Sequence, residues 1–68
     1  MTNWEYSELL GDRRGTEWTD PSGVRRSRKV RLVPVLNELA QDGWEVVGYA
    51  KSAGTGDGRY CLLRRAVG

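Results

Sequence analysis

The chain has no histidine and no phenylalanine, a single cysteine, Cys61, and only two prolines in 68 residues. Each shortage closes a route. A lone thiol cannot form an internal disulfide, and without imidazole there is no Cys/His metal cluster. The commonest general base is missing, the acids are scattered, and no Ser or Cys has a base nearby in sequence, so catalysis is the class with least support. No segment approaches the roughly 18 apolar residues of a membrane span. The stretch Met1 to Leu10 lacks the basic start and apolar run of a secretion signal. The expected setting is therefore the cytoplasm, with which one unpaired thiol is compatible.

What remains is one small domain, residues 1–68. A domain near this size buries only about 60% of the surface its unfolded chain exposes, so its core is marginal. With disulfides and metals excluded, self-association is the remaining way to bury more apolar area. Without Phe, the large apolar surfaces must come from Trp4, Trp18, Trp44, Tyr6, Tyr49 and Tyr60. The net charge of +2 is too small to imply a polyanion partner. It is unevenly placed, however: Arg25, Arg26, Arg28, Lys29 and Arg31 crowd one segment, while Glu5 and Glu8 sit near the start.

The pattern along the chain is that of an α+β domain. "NWEYSELL" at 3–10 alternates as a strand, with Trp4, Tyr6 and Leu10 on one side and Ser7 and Leu9 on the other. From Gly11 to Lys29 the composition turns polar, and "DPSG" at 20–23 has the residues of a type I turn. This stretch is either a loop or an extra hairpin, "GTEW" against "VRRS". From Arg31 the spacing is helical: Leu32, Val35, Leu36, Leu39 and Ala40 form one stripe, with Pro34 tolerable only within the first turn. Gly43 should stop the helix as a left-handed cap, with Trp44 packing back on the last turn. "WEVVGYAK" then reads as a strand with Gly48 and Ala50 making room for the helix, and Glu45 placed to face solvent or to pair with an Arg on a neighbouring strand. "SAGTGDG" at 52–58 reads as a turn, and "RYCLLRRAV" as the last strand.

The expected architecture is β-α-β-β: a three-stranded antiparallel sheet with one helix packed on one face. A single helix leaves the other face open. That face is expected to carry Val47, Tyr49, Tyr60 and Leu62 and to meet another copy or a partner.

The segments "NWEYSEL", "LNELAQDGWEVVGYA" and "YCLLRRAV" resemble the bacterial family catalogued as domain of unknown function four-one-seven-seven. Its members have a Tyr/Trp-rich first strand, a leucine helix ending in Gly-Trp-Glu-hydrophobic-Val, and a last strand ending in a basic residue and often Pro. Leu36, Leu39, Gly43, Trp44, Glu45 and Val46 match at fixed spacing. The segment Gly11 to Lys29 departs in length and charge, and Arg65-Ala66 replaces the basic-Pro ending. The resemblance implies a fold, with no established activity or site residues. A second similarity, in topology, is to dodecins, small flavin-binding proteins that assemble into hollow dodecamers. They share the strand order and place a Trp beside a Glu and a Val where the second strand begins. There the Trp stacks on the flavin ring, which would give that role to Trp44.

Three motifs bear on function. The Gly43-Trp44 corner is read as a cap and a core residue, with flavin stacking on Trp44 as the alternative. The basic segment, with Trp18 as a nearby stacking surface, makes a second alternative, binding of nucleic acid through Arg25, Arg26, Arg28, Lys29 and Arg31. Cations beside a helix N-terminus are mildly unfavourable; Glu17, Asp20 or a second subunit's Glu5 and Glu8 are available to offset them. "AGTGDGRY" lacks the Lys-Ser/Thr of a phosphate cradle and joins strands. Cys61 is expected to be buried and inert. The resulting expectation is a non-catalytic, homo-oligomeric interaction or assembly module without a cofactor, accessory to a regulatory or biosynthetic system in a bacterium.

Overall fold

The structure, a computed structural model, describes residues 2–51 and 57–67. Five strands and one helix follow one another as β1 (Asn3–Asp12), β2 (Gly15–Thr19), β3 (Arg25–Arg28), α1 (Leu32–Gln41), β4 (Glu45–Lys51) and β5 (Arg59–Val67). All strand pairs are antiparallel, in the order β3-β2-β1-β5-β4. The domain is α+β with one helix, but the sheet has five strands, which corrects the three-stranded expectation. The element order is β-β-β-α-β-β and not the expected β-α-β-β, because two further strands stand between β1 and the helix. Of the two readings of Gly11 to Lys29, the extra hairpin is the one that forms, and β2 and β3 extend the sheet beyond β1. The turn expected at 52–58 falls mainly on 52–56, outside the described residues.

Side-chain and backbone contacts explain why so polar a stretch folds as strands. Asp12 Oδ1 accepts the N–H groups of Arg14 (2.7 Å) and Gly15 (3.2 Å), closing a two-residue turn between β1 and β2. Asp20 does the same at the other end. Its Oδ1 accepts from the Ser22 hydroxyl (2.6 Å) and from the N–H groups of Ser22 and Val24, while its carbonyl accepts from Gly23 N–H (2.9 Å), as the turn residues require. Between the turns only Thr16 and Trp18 point toward the helix, opposite Gly11 and Leu9. Two inward residues are too few to register as a hydrophobic rhythm.

The same alternation decides which face of β1 is covered. Ser7, Leu9 and Gly11 lie inward and are buried, whereas Trp4, Tyr6 and Leu10 lie outward. The core consists of Leu9, Val35, Leu39, Trp44, Cys61 and Leu63, with Trp18, Val30, Leu32 and Leu36 packed around it. Gly11, and not Gly48 or Ala50, makes room for the helix: a Cβ on Gly11 would stand 3.0 Å from Leu32 Cδ1. Gly48 and Ala50 instead pair with Leu62 and Tyr60 and face away from the helix.

The helix begins without a side-chain cap, at Arg31, and Pro34 occupies its first turn, where an N–H has no intrahelical acceptor. Its end follows the sequence. Gly43 adopts φ +90°, its N–H donates to Ala40 O (3.0 Å), and Trp44 N–H donates to Leu39 O (3.1 Å). These two bonds are a Schellman motif, and they deliver Trp44 to the core against the last turn.

One core position is poorly matched. Ser7 is buried, and its Oγ has no hydrogen-bond partner among the described residues. Ser7→Ala removes that desolvated hydroxyl and is expected to raise the unfolding free energy by about 1 kcal/mol, measured by urea denaturation. A loss of stability would mean that the hydroxyl is satisfied in solution.

Two surface carboxylates, Asp20 and Asp57, are held in the ionised form by their contacts. The Ser22 hydroxyl holds the Asp20 carboxylate below its usual range, and the Arg13 guanidinium, 2.8 Å away, does the same for Asp57. A lowered folded-state pKa contributes stability that is complete above the unfolded value, about 3.9, and is lost as pH falls through the lower folded value. The amide signals of Ser22, Val24 and Arg13 are therefore expected to titrate with midpoints below about 3.9. Midpoints at or above that value would show that these contacts do not persist in solution.

Candidate interface on the open sheet face

Directly opposed residues of an antiparallel pair share a face. Registering the strands this way places Trp4, Tyr6, Glu8 and Leu10 of β1 on the open face, with Tyr60, Leu62, Arg64 and Ala66 of β5 beside them. Gly48 and Ala50 of β4 continue the apolar surface to one edge, while Glu17 and Thr19 of β2 and Arg25 and Ser27 of β3 make the other side polar. Trp4, Tyr6 and Leu10 are 40%, 49% and 42% exposed, although each is large and apolar. The result is a largely apolar half-sheet that carries Glu8 at its middle and the paired charges of Arg64 and Glu45.

Electrostatic contacts stiffen the face from within. The Arg64 guanidinium lies 3.9 Å from the centroid of the Trp4 ring, and its Nε donates to Glu45 Oε1 at 2.6 Å. Of the two expectations for Glu45, pairing with an arginine on a neighbouring strand is the one that forms. Tyr60 has its phenol pushed up, first by burial and then by the charge of Glu8. On the opposite side of the same strand, Arg65 donates to Glu5 Oε1 (2.7 Å) and lies 4.5 Å from the Trp44 ring centroid.

Of the four interface residues expected, Tyr60 and Leu62 lie on the open face. The other two are displaced by an irregularity in β4. Val46 opposes Leu63 and Gly48 opposes the next residue, Leu62, so Val47 is an extra residue in the strand. Such a bulge reverses the alternation beyond it. Tyr49 consequently opposes Cys61 and falls on the helix side, 60% exposed past the end of the helix's cover. Trp4, Tyr6 and Leu10 take the place of that pair. Their alternation was visible, but nothing local says which parity the helix covers.

The basic segment is divided by the strand it forms. Arg25 projects to the open face, and Arg26 and Arg28, opposite Trp18 and Thr16, project to the helix side. All three have carboxylates near: Arg25 Nε is 3.8 Å from Glu17, Arg26 is 4.0 Å from Asp20, and Arg28 is 2.7 Å from Glu38. Lys29 and Arg31 make no ion pair among the described residues. Trp18 is half-buried and meets Trp44 edge-on, with centroids 6.0 Å apart at 77°.

Trp44 itself is 4% exposed. Cys61 is fully enclosed, and burial pushes its thiol up, away from the reactive thiolate. No group of three or more His, Cys, Asp or Glu side chains suited to a metal occurs among the described residues. No helix among them is long and apolar enough to cross a membrane.

No protein-family model, curated protein or solved structure matches this chain. The open face therefore has to be read from its own chemistry.

Proposed function

We propose that the protein is a non-catalytic assembly module that joins a second copy of itself through the open face of its sheet. The observation that carries this reading is the apolar half-sheet of Trp4, Tyr6, Leu10, Tyr60 and Leu62, left uncovered by the only helix among the described residues. Exposed aromatic patches of this kind mark association sites, and a domain this small has most to gain from covering one. A like copy fits because the face carries both signs, Glu8 and Glu17 against Arg25 and Arg64, so it need not repel itself. The cytoplasm is the compartment this reading assumes. An accessory role in a regulatory or biosynthetic system of a bacterium is part of the proposal through the sequence resemblance alone.

Two observations weigh against the alternatives. Arg25, Arg26 and Arg28 spend charge on Glu17, Asp20 and Glu38 and are split between two faces, which weakens a phosphate-binding surface. Trp44 is enclosed by Trp18 and Arg65, which denies a flavin its ring face.

Sedimentation velocity tests the proposal. The wild type is expected to sediment above the monomer mass at micromolar concentration. Tyr6→Glu and Leu62→Glu should each weaken association by about thirtyfold or more, roughly 2 kcal/mol, while circular dichroism stays unchanged. A wild type that is monomeric throughout would overturn the reading.

A further inference from the structure

An open sheet ends in two edge strands, each with a row of backbone N–H and C=O groups that no neighbouring strand satisfies. Among the described residues these strands are β3 and β4, and they differ in length and in charge. β3 has four residues, three of them arginine. Laid antiparallel on itself it sets Arg25 against Arg28, and like charges directly opposed are destabilising. β4 has seven residues, and only its ends, Glu45 and Lys51, are charged. Between them Val46, Val47 and Tyr49 are exposed although each is large and apolar. Folded proteins keep sheets from extending with short, charged edges. β3 is such an edge, whereas β4 departs from a plain open strand only in its bulge at Val47.

That bulge specifies what fits the free edge. Before it, Glu45 faces the open side and Val46 the helix side; after it, Gly48 and Ala50 face the open side and Tyr49 and Lys51 the helix side. Over the length of the strand, one antiparallel register of β4 with a second copy of itself keeps these faces matched. Glu45 then opposes Ala50 and Val46 opposes Tyr49, each pair occurring twice by symmetry. Val47 falls against Gly48, which has no side chain to meet it. A slip of one residue would set side chains of opposite faces against each other. Pairs of an aromatic and a β-branched residue stabilise a strand ladder. Here two such pairs cover the helix-side surface at Val46 and Tyr49 that α1 leaves bare. At each end, Glu45 of one copy comes beside Lys51 of the other, while like charges stay at opposite ends.

We infer that β4 pairs edge to edge with β4 of a second copy, joining two five-stranded sheets into one continuous sheet. The pairing also brings the two apolar half-sheets together, because Gly48 and Ala50 carry the apolar surface to this edge and the polar β2–β3 side lies at the far end. Its two-fold axis is perpendicular to the sheet, whereas that of face-to-face packing is parallel to it, so the two contacts together allow a closed tetramer. Edge pairing stands without the proposed assembly face; only the tetramer needs both.

Sedimentation velocity of variants separates the two contacts. Tyr6→Glu removes the face contact and lies on β1, two strands away from β4. This variant is expected to sediment as a dimer at micromolar concentration. Adding Tyr49→Lys, at an exposed position on the helix side, should weaken that dimer by about tenfold or more with circular dichroism unchanged. Hydrogen exchange on the Tyr6→Glu protein gives a second measurement, which decides alone should Tyr49→Lys not fold: β4 amides should gain protection as protein concentration rises through the dimerisation range. A monomeric Tyr6→Glu protein, a dimer indifferent to Tyr49→Lys, or β4 protection independent of concentration would each overturn the edge pairing. Dissociation to monomer by Tyr6→Glu alone would leave the face contact and remove the edge; dissociation to monomer by Tyr49→Lys alone would do the reverse.

Discussion

Leu9→Ala is expected to lower the unfolding free energy by about 3 kcal/mol, while Leu10→Ala, one residue on, lowers it by less than about 1 kcal/mol. The two residues are chemically identical and adjacent. Leu9 is fully enclosed among Trp18, Cys61 and the helix, so its removal leaves a cavity in addition to the lost transfer energy. Leu10 points to the open face, 42% exposed, and has little burial to lose within one chain. For a domain of this length the whole stability is roughly 3–10 kcal/mol, so Leu9→Ala takes about three-tenths of it or more. Urea denaturation at low protein concentration measures both variants without a contribution from assembly. Sedimentation then separates them a second time, since Leu10→Ala should weaken association. Equal losses in the two variants would show that the face assignment of β1 is wrong.

Gly15→Ala is expected to cost roughly 2–3 kcal/mol and to release β3 from the sheet. The cause is a close approach as much as a dihedral. Gly15 has φ +157°, and a Cβ there would collide with the Arg28 carbonyl oxygen and press on Lys29 Cα. Backbone atoms cannot swing aside as a flexible side chain can. Relief requires β3, an edge strand paired only with β2, to move away, which would also strain the Arg28–Glu38 contact. Gly23→Ala is the control: its φ of +92° is left-handed but nothing lies within 4 Å of the added carbon, so it should cost only about 1 kcal/mol, from the backbone alone. Hydrogen exchange reads the difference. Protection of the β2–β3 amides should collapse in Gly15→Ala and persist in Gly23→Ala. Persistence in both would mean that the close approach is absent in solution.

These two predictions rest on features with different visibility in the sequence. Helix α1 was legible because its signals are contiguous: a stripe of Leu32, Val35, Leu36 and Leu39, a Pro confined to the first turn, and a Gly-Trp stop. The turn at Asp20 was legible for the same reason, since Asp, Pro, Ser and Gly each contribute a local backbone preference. The number of strands was not. Thr16 is buried and Trp18 packs on the core only when β2 lies beside β1, so their burial depends on partners that are distant in sequence from the helix that covers them.

The candidate interface divides in the same way. The alternation of Trp4, Tyr6 and Leu10 against Ser7 and Leu9 is a property of the strand itself, whereas the choice of which set faces solvent is made by where α1 lands. In β4 one extra residue, Val47, reverses the facing of everything after it and moves Tyr49 away from Tyr60 and Leu62. Arg25, Arg26 and Arg28 read as one basic patch until β3 distributes them between two faces and brings Glu38 to Arg28. What the sequence alone determined was the helix with its stop, the alternating strands β1, β4 and β5, and the turn at Asp20, because capping, turn and periodicity energies arise within a few neighbouring residues. The count of strands, the parity of each face and the partner of each charge were decided by the tertiary structure, because each depends on which distant segments come to lie side by side.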